Sequence, residues 1–193
     1  MKKLILTKTF MLGLVFATMA QTTWNIDGAH SVIGFNIDHM VVSEVEGRFN
    51  DFTGSLVASK DDLTDAKVNF TAQTASINTD NERRDDHLRS EDFFEAEKFP
   101  EITFTSSKFE KVSDGKYKMT GDLTMHGVTK TVSLDVKFSG TVDTGRGTKA
   151  GFKVSGVLNR EDFGLMYNSV LEAGGVAIGK EVRLDIKLEM NKA

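Results

Sequence analysis

Apolar residues at every second position dominate this 193-residue chain. A period of two puts successive side chains on opposite faces of an extended strand, so each such run predicts a half-buried strand. Trp24 and Ile26 begin the pattern, and Ile33, Phe35, Ile37 and His39 share the next face. Val45, Gly47 and Phe49 share a face, and Phe52, Gly54 and Leu56 continue with the opposite parity. That switch predicts a bulge near Asn50–Asp51 in one long, bent strand. The series runs on through Ala66, Val68, Phe70 and Ala72, then Ile102 and Phe104, then Tyr117, Met119, Gly121, Leu123 and Met125. Three more runs start at Val132, Ala150 and Val182. Lys60-Asp61-Asp62, Ser113-Asp114-Gly115, His126-Gly127 and Gly145-Arg146-Gly147 punctuate them as turns, so neighbouring strands are expected to be antiparallel. About eight or nine strands with one apolar face make a barrel or a sandwich. Glycines inside strands (Gly34, Gly47, Gly54, Gly121, Gly156) favour a barrel, because closure needs sharp bending.

The length fits one domain with one core, with no linker or internal repeat. Residues 1–20 read as a cleavable signal peptide: Lys2, Lys3 and Lys8, then the short apolar run 10–16, then small residues around Ala20. The run is too short for a spanning helix, which needs roughly 20 apolar residues. Residues 21–193 are then the mature domain, and the expected location is periplasmic or secreted. Losing three lysines and no acid would move the formal charge from −4 to −7. A net acidic chain without a basic block argues against nucleic acid and against charge-driven membrane docking. The chain has no cysteine, so its stability rests on the core alone.

One segment breaks the alternation. Asp80 to Ser107 packs acids, arginines and His87 into a short run and returns to alternation through Phe93, Phe94 and the only proline, Pro100. A helix is predicted over about Asn81 to Arg89, with Asp80 as N-cap and acid–base pairs Asp80–Arg84 and Asp85–Arg89. Ser90 would cap a following turn. Leu88 is the only large apolar residue in that helix, so it is expected to cross a barrel end, anchored by Leu88, Phe93 and Phe94.

Chemistry-bearing motifs are sparse. His30, His39, His87 and His126 lack the spacing of a metal site, and no metal ligand or cofactor is predicted. No serine sits in a G-x-S-x-G elbow, and the carboxylates of the insert are interleaved with Arg83, Arg84 and Arg89, which would keep them ionised. No catalytic residue is assigned. The phenylalanine-rich inner face is more informative, since a barrel of eight strands is near the size where side chains either fill it or leave room for one ligand. The predicted lining is Phe35, Ile37, His39, Phe49, Phe52, Val68, Phe70, Phe104, Met119, Leu123, Met125, Phe138 and Phe152, with Met166 adding adaptable surface. His39 is the one polar group on that face and needs a partner.

The chain resembles the YceI family at Trp24-x-Ile26-Asp27-x-x-His30-Ser31, Phe35-x-x-x-His39-Met40 and Gly47-x-Phe49. The insert carries Asn81-x-x-Arg84-Asp85-x-His87-Leu88, Asp92-Phe93-Phe94 and Phe99-Pro100-x-Ile102-x-Phe104-x-Ser106. Gly121-x-Leu123-Thr124-x-His126-Gly127-Val128 and Arg160-x-x-Phe163-Gly164 follow. The resemblance implies an all-β fold: an extended, eight-stranded, antiparallel lipocalin-like β-barrel with one short helical insert. It also implies a non-enzymatic exported protein holding a polyisoprenoid or similar long-chain lipid. Arg83, Arg84, His39 and Asn168 are the expected head-group contacts, with transient membrane contact and a homodimer as further expectations. Two rival readings stand beside it: an enzyme using His39 with a carboxylate on a small apolar substrate, and a stress-linked interaction module with a filled barrel.

Overall fold

The computed structural model describes residues 21–170 and 176–193. The signal-peptide reading falls on residues 1–20, outside the described residues. Eleven strands are assigned: β1 (Thr22–Ile26), β2 (Val32–His39), β3 (Ser43–Phe49), β4 (Phe52–Ala58), β5 (Lys67–Gln73), β6 (Ile77–Asn78), β7 (Glu101–Ser113), β8 (Lys116–Met125), β9 (Val128–Asp143), β10 (Thr148–Asn159) and β11 (Ile178–Lys192). Among the described residues one α-helix, α1 (Glu82–Arg89), lies between β6 and β7.

Three pairs of these strands are kinked halves of longer ones. β11 pairs with β1 at one end and with β2 along the rest. β3 and β4 pair with β2 and β1 respectively, and flank a break at Asn50–Asp51, where the parity of the sequence switches. β5 and β6 continue one another across a short 3-10 turn. The result is a closed, eight-stranded antiparallel β-barrel. Closure is made by β1, which bonds both β4 and β11.

Registers follow the alternation. Phe104 lies opposite Phe70 on one side and Leu123 on the other, and Met119 lies opposite Leu134. Outward positions are charged or polar: Asp135, Lys137, Lys153, Asp185 and Lys187 are exposed. Apolar inside and polar outside is the reverse of a barrel that spans a membrane. No described helix is long and apolar enough to cross one.

Inward glycines let neighbouring rings lie flat on the wall. A Cβ on Gly47 would fall 2.3 Å from the Phe35 ring, and one on Gly121 would fall 2.5 Å from that of Phe104. The space a glycine opens is therefore filled by an adjacent phenylalanine, as in aromatic cover of strand glycines.

The two ends differ. At one, residues 59–66 fold across the opening: Leu63 and Ala66 are buried, Asp65 accepts from the Ser59 and Lys60 amides, and the Tyr117 hydroxyl donates to the Asp62 carbonyl (2.9 Å). At the other, α1 and the turn carrying Phe93 and Phe94 cross the opening, as expected.

The helix starts one residue later than predicted. Asn81, not Asp80, is the N-cap and accepts from the Arg84 amide (3.1 Å). Asp80 leaves the helix with φ +58° and pairs with Arg48 (2.7 and 3.0 Å). The predicted Asp80–Arg84 and Asp85–Arg89 pairs are replaced. Asp85 turns inward, where it is buried and accepts from the Thr79 amide and hydroxyl (2.9 and 2.5 Å). Arg84 bonds the Thr79 hydroxyl and carbonyl, and Arg89 pairs with Asp86 (2.7 Å). A buried carboxylate must have donors, and Thr79 supplies two, so tertiary satisfaction overrides helix-surface pairing.

Candidate functional site: an apolar cavity with a helical cap

The barrel is not filled. It encloses a cavity of about 460 Å³, within the ~300–1,000 Å³ usual for small-molecule pockets. Val68, Phe70, Leu184, Ile186 and Leu188 point inward yet are only half-buried, because they face this space. Of the predicted lining, Phe35, Ile37, His39, Phe49, Val68, Phe70, Phe104, Met119, Leu123, Met125 and Phe152 border it, and so does Arg84. Leu88, Phe93 and Phe94 form its lid. Phe93 is buried against His87 (5.0 Å between ring centres) and Tyr167 (4.9 Å), and Phe94 meets Phe49 edge-on at 6.0 Å.

Five predicted site residues lie elsewhere. Phe52 directly follows the Asn50–Asp51 bend and packs against the core outside the cavity wall. Phe138 stacks on Phe152 (5.0 Å) towards the closed end. Met166 is 61 % exposed; it sits after the last turn of chain before β11, where no strand parity fixes its direction. Arg83 is one helical step, about 100°, from Arg84 and is exposed on the outer side of α1. Asn168 is consumed structurally: its amide donates to the Ile178 carbonyl (2.7 Å) and accepts from the Ile178 amide (3.0 Å).

Several wall residues were missed, among them Phe109, Leu134, Val136, Leu158, Leu165 and Tyr167. Leu134 and Val136 were legible from strand parity. Phe109 was not, because a register shift between Ser106 and Lys108 changes parity within β7. Arg160 is the largest omission. It lines the cavity at 3 % exposure, in the 3-10 turn Arg160–Phe163. The only signal for it was its place in a motif.

Titratable pairs at the mouth are limited. His87 contacts Asp92 (2.8 Å), an imidazole–carboxylate pair. Asp38, beside His39, is turned to Arg183 (2.7 Å). Away from the cavity, Asp27, His30 and Glu189 have ligand atoms within 4.8 Å of one another. Lys149 already sits between both carboxylates, 3.0 Å from Asp27 and 2.5 Å from Glu189, so the cluster carries its own cation. Lys149 first, and His30 second, hold the Asp27 carboxyl well below the usual carboxylate range.

Exposed apolar residues gather at the open end. Met40, Val41 and Val42 in the β2–β3 turn are 45, 81 and 87 % exposed, and Met166, Tyr167, Val170 and Val176 lie in the segments leading to β11. Met40 and Tyr167 also line the cavity, so the rim and the interior are continuous.

A closed antiparallel barrel with an apolar interior, one plugged end and one helix-capped end defines a class of hydrophobic-cavity proteins. Within it, this chain belongs to the YceI-like domain family, which matches residues 24–190. It is 39 % identical to a UPF0312 protein of Staphylococcus aureus over 174 residues, 88 % of this chain and 98 % of that one. Among solved structures it is similar to the Campylobacter jejuni YceI protein (34 % identity, TM-score 0.66, 86 % of this chain and 95 % of that one). Its fold also matches Burkholderia cenocepacia BcnA (22 %, TM-score 0.75, 85 % and 98 %). A polyisoprenoid-binding domain from Saccharophagus degradans shares the fold as well (17 %, TM-score 0.62, 91 % and 100 %).

Proposed function

We propose that this protein is a non-enzymatic, exported carrier of an isoprenoid-type lipid: a polyprenol, polyprenyl phosphate or quinone. The observation that carries this reading is the continuous apolar cavity of about 460 Å³, closed at one end and capped by α1 at the other. The description of the Saccharophagus degradans relation as polyisoprenoid-binding supports the same class of ligand. Each methylene moved out of water contributes about 0.8 kcal/mol. A bilayer offers the tail nearly the same apolar surroundings. Transfer between membrane and cavity is therefore close to balanced for the tail, which suits loading and unloading. The exposed rim, continuous with the cavity, supports transient contact with a bilayer at that end. Residues 1–20, ahead of the family match, support export. Native mass spectrometry of protein purified from its host, with lipid extraction, tests the proposal. A bound prenyl lipid is the expected result. Folded, ligand-free protein that fails to take up prenyl lipids would overturn it.

A further inference from the structure

Arg160 is a buried cation with no anionic partner among the described residues. Its Nε donates to the Gly179 carbonyl (2.9 Å) and its Nη1 to the Leu165 carbonyl, while Nη2 is buried with no hydrogen-bond partner among the described residues. Two backbone carbonyls fix the guanidinium plane, and neither carries a countercharge. Two nearby described acids are engaged elsewhere: Glu161 pairs with Lys180 (2.9 Å), and Asp38 pairs with Arg183 (2.7 Å). A guanidinium removed from water needs pairing and full hydrogen bonding, and a planar fork suits a carboxylate or phosphate. Arg160 also borders the largely apolar cavity, whose other cation, Arg84, is already bonded to the Thr79 hydroxyl and carbonyl. Its surroundings are at the capped mouth: Gly179 follows Ile178, which pairs with His39, another cavity residue.

We propose that Arg160 is the head-group site of the cavity and that the lipid carried has an anionic head, a phosphate or a carboxylate. This rests on the lipid-carrier reading above and narrows it to one ligand chemistry. The tail would occupy the barrel, and the anion would complete the hydrogen bonding of Arg160 Nη2. A neutral alcohol head supplies no countercharge and leaves the cation uncompensated.

The test uses ligands with one C20 prenyl tail and three heads: geranylgeranyl monophosphate, geranylgeranoic acid and geranylgeraniol. Inorganic phosphate is the tail-free control. Charge-assisted bonds predict that the wild-type protein prefers at least one anionic ligand over the alcohol by roughly ten- to hundredfold. Which anion wins separates phosphate from carboxylate. Arg160→Gln should lose that preference while still binding geranylgeraniol, and Arg160→Lys should keep part of it. Because Arg160 also ties two carbonyls, the glutamine variant can fail to fold. Guanidinium NMR of wild-type protein labelled with 15N-arginine gives a second readout. The Arg160 signal should shift with the anionic ligand and stay in place with geranylgeraniol. Equal affinity of all three lipids for the wild-type protein, or an Arg160 signal unmoved by a bound anionic lipid, overturns the head-group assignment and leaves the carrier reading intact. Failure of all three to bind overturns the carrier reading itself.

Discussion

If the cavity holds a lipid tail, narrowing its middle should weaken binding in proportion to the tail carbons displaced. Ile186 is suited to this. It lies mid-strand in β11 between Ile33 and Val154, faces inward, and is only half-buried because its side chain borders the cavity. Ile186→Phe adds about three carbon-sized atoms to that space, which excludes a similar number of tail carbons; at about 0.8 kcal/mol each the loss is about 2.4 kcal/mol, or roughly 50-fold in affinity. Tails too short to reach this level should bind unchanged, so a series of prenyl ligands with one common head distinguishes the effect from general damage. Isothermal titration or fluorescence displacement measures each member. Overpacking is itself expected to cost up to about 1–3 kcal/mol of stability, and thermal unfolding of the ligand-free variant reports that cost separately. A folded variant that binds the longest tail as tightly as the wild type would show that the tail does not occupy the barrel, and the argument from cavity to carrier would fail.

Phe94→Ala removes the edge contact with Phe49 in the lid. Lipid dissociation should accelerate by up to about tenfold, and stopped-flow transfer to acceptor vesicles would show it; an unchanged off-rate refutes the cap. Lys149→Met should raise the pH of acid unfolding. Asp27 has a folded pKa held below its ordinary value of 3.8, so its contribution is complete above that value and fades as pH falls through the depressed one. Losing Lys149 removes most of that depression, and a circular-dichroism acid titration with an unmoved midpoint would contradict it. Gly121→Ala places a Cβ 2.4 Å from the Thr105 carbonyl oxygen and 2.5 Å from the Phe104 ring. It should destabilise by about 1–3 kcal/mol, read as a lower unfolding temperature, with little change expected if the backbone there were free to shift.

The barrel was legible because its evidence is local. Alternation fixed each strand and face, and the parity switch at Asn50–Asp51 placed the bend between β3 and β4. The lining was legible only where parity persisted. Phe109 lay beyond a register shift, and Met166 lay in a segment with no parity at all. The insert shows a different limit. Its helix and its position over the barrel end followed from composition, yet its pairing did not. Asp85 could pair at helical spacing with Arg89, but burial gave it Thr79 as partner instead. Long-range desolvation decides such choices, and spacing carries no record of it.

The same limit explains why the sequence singled out Arg83 and Arg84 and passed over Arg160. Arg83 and Arg84 stood out by being clustered with other charges, whereas Arg160 stands far from that cluster, in the turn after β10. Clustering marks a solvated helix surface, and Arg83 is indeed exposed while Arg84 is spent on Thr79. A head-group site needs the opposite condition: a charge stripped of water, with a donor to spare, beside an apolar volume. Arg160 meets all three conditions. Burial pushes its guanidinium pKa down, against a smaller upward pull from Glu161. An incoming anion would oppose that desolvation, so binding the head would also stabilise the loop that Arg160 ties to Gly179 and Leu165. On the proposed assignment, tail affinity and head selectivity fall on different parts of the fold: the barrel wall would set how much lipid can be held, and the short turn at Arg160–Phe163 would set which lipid it is.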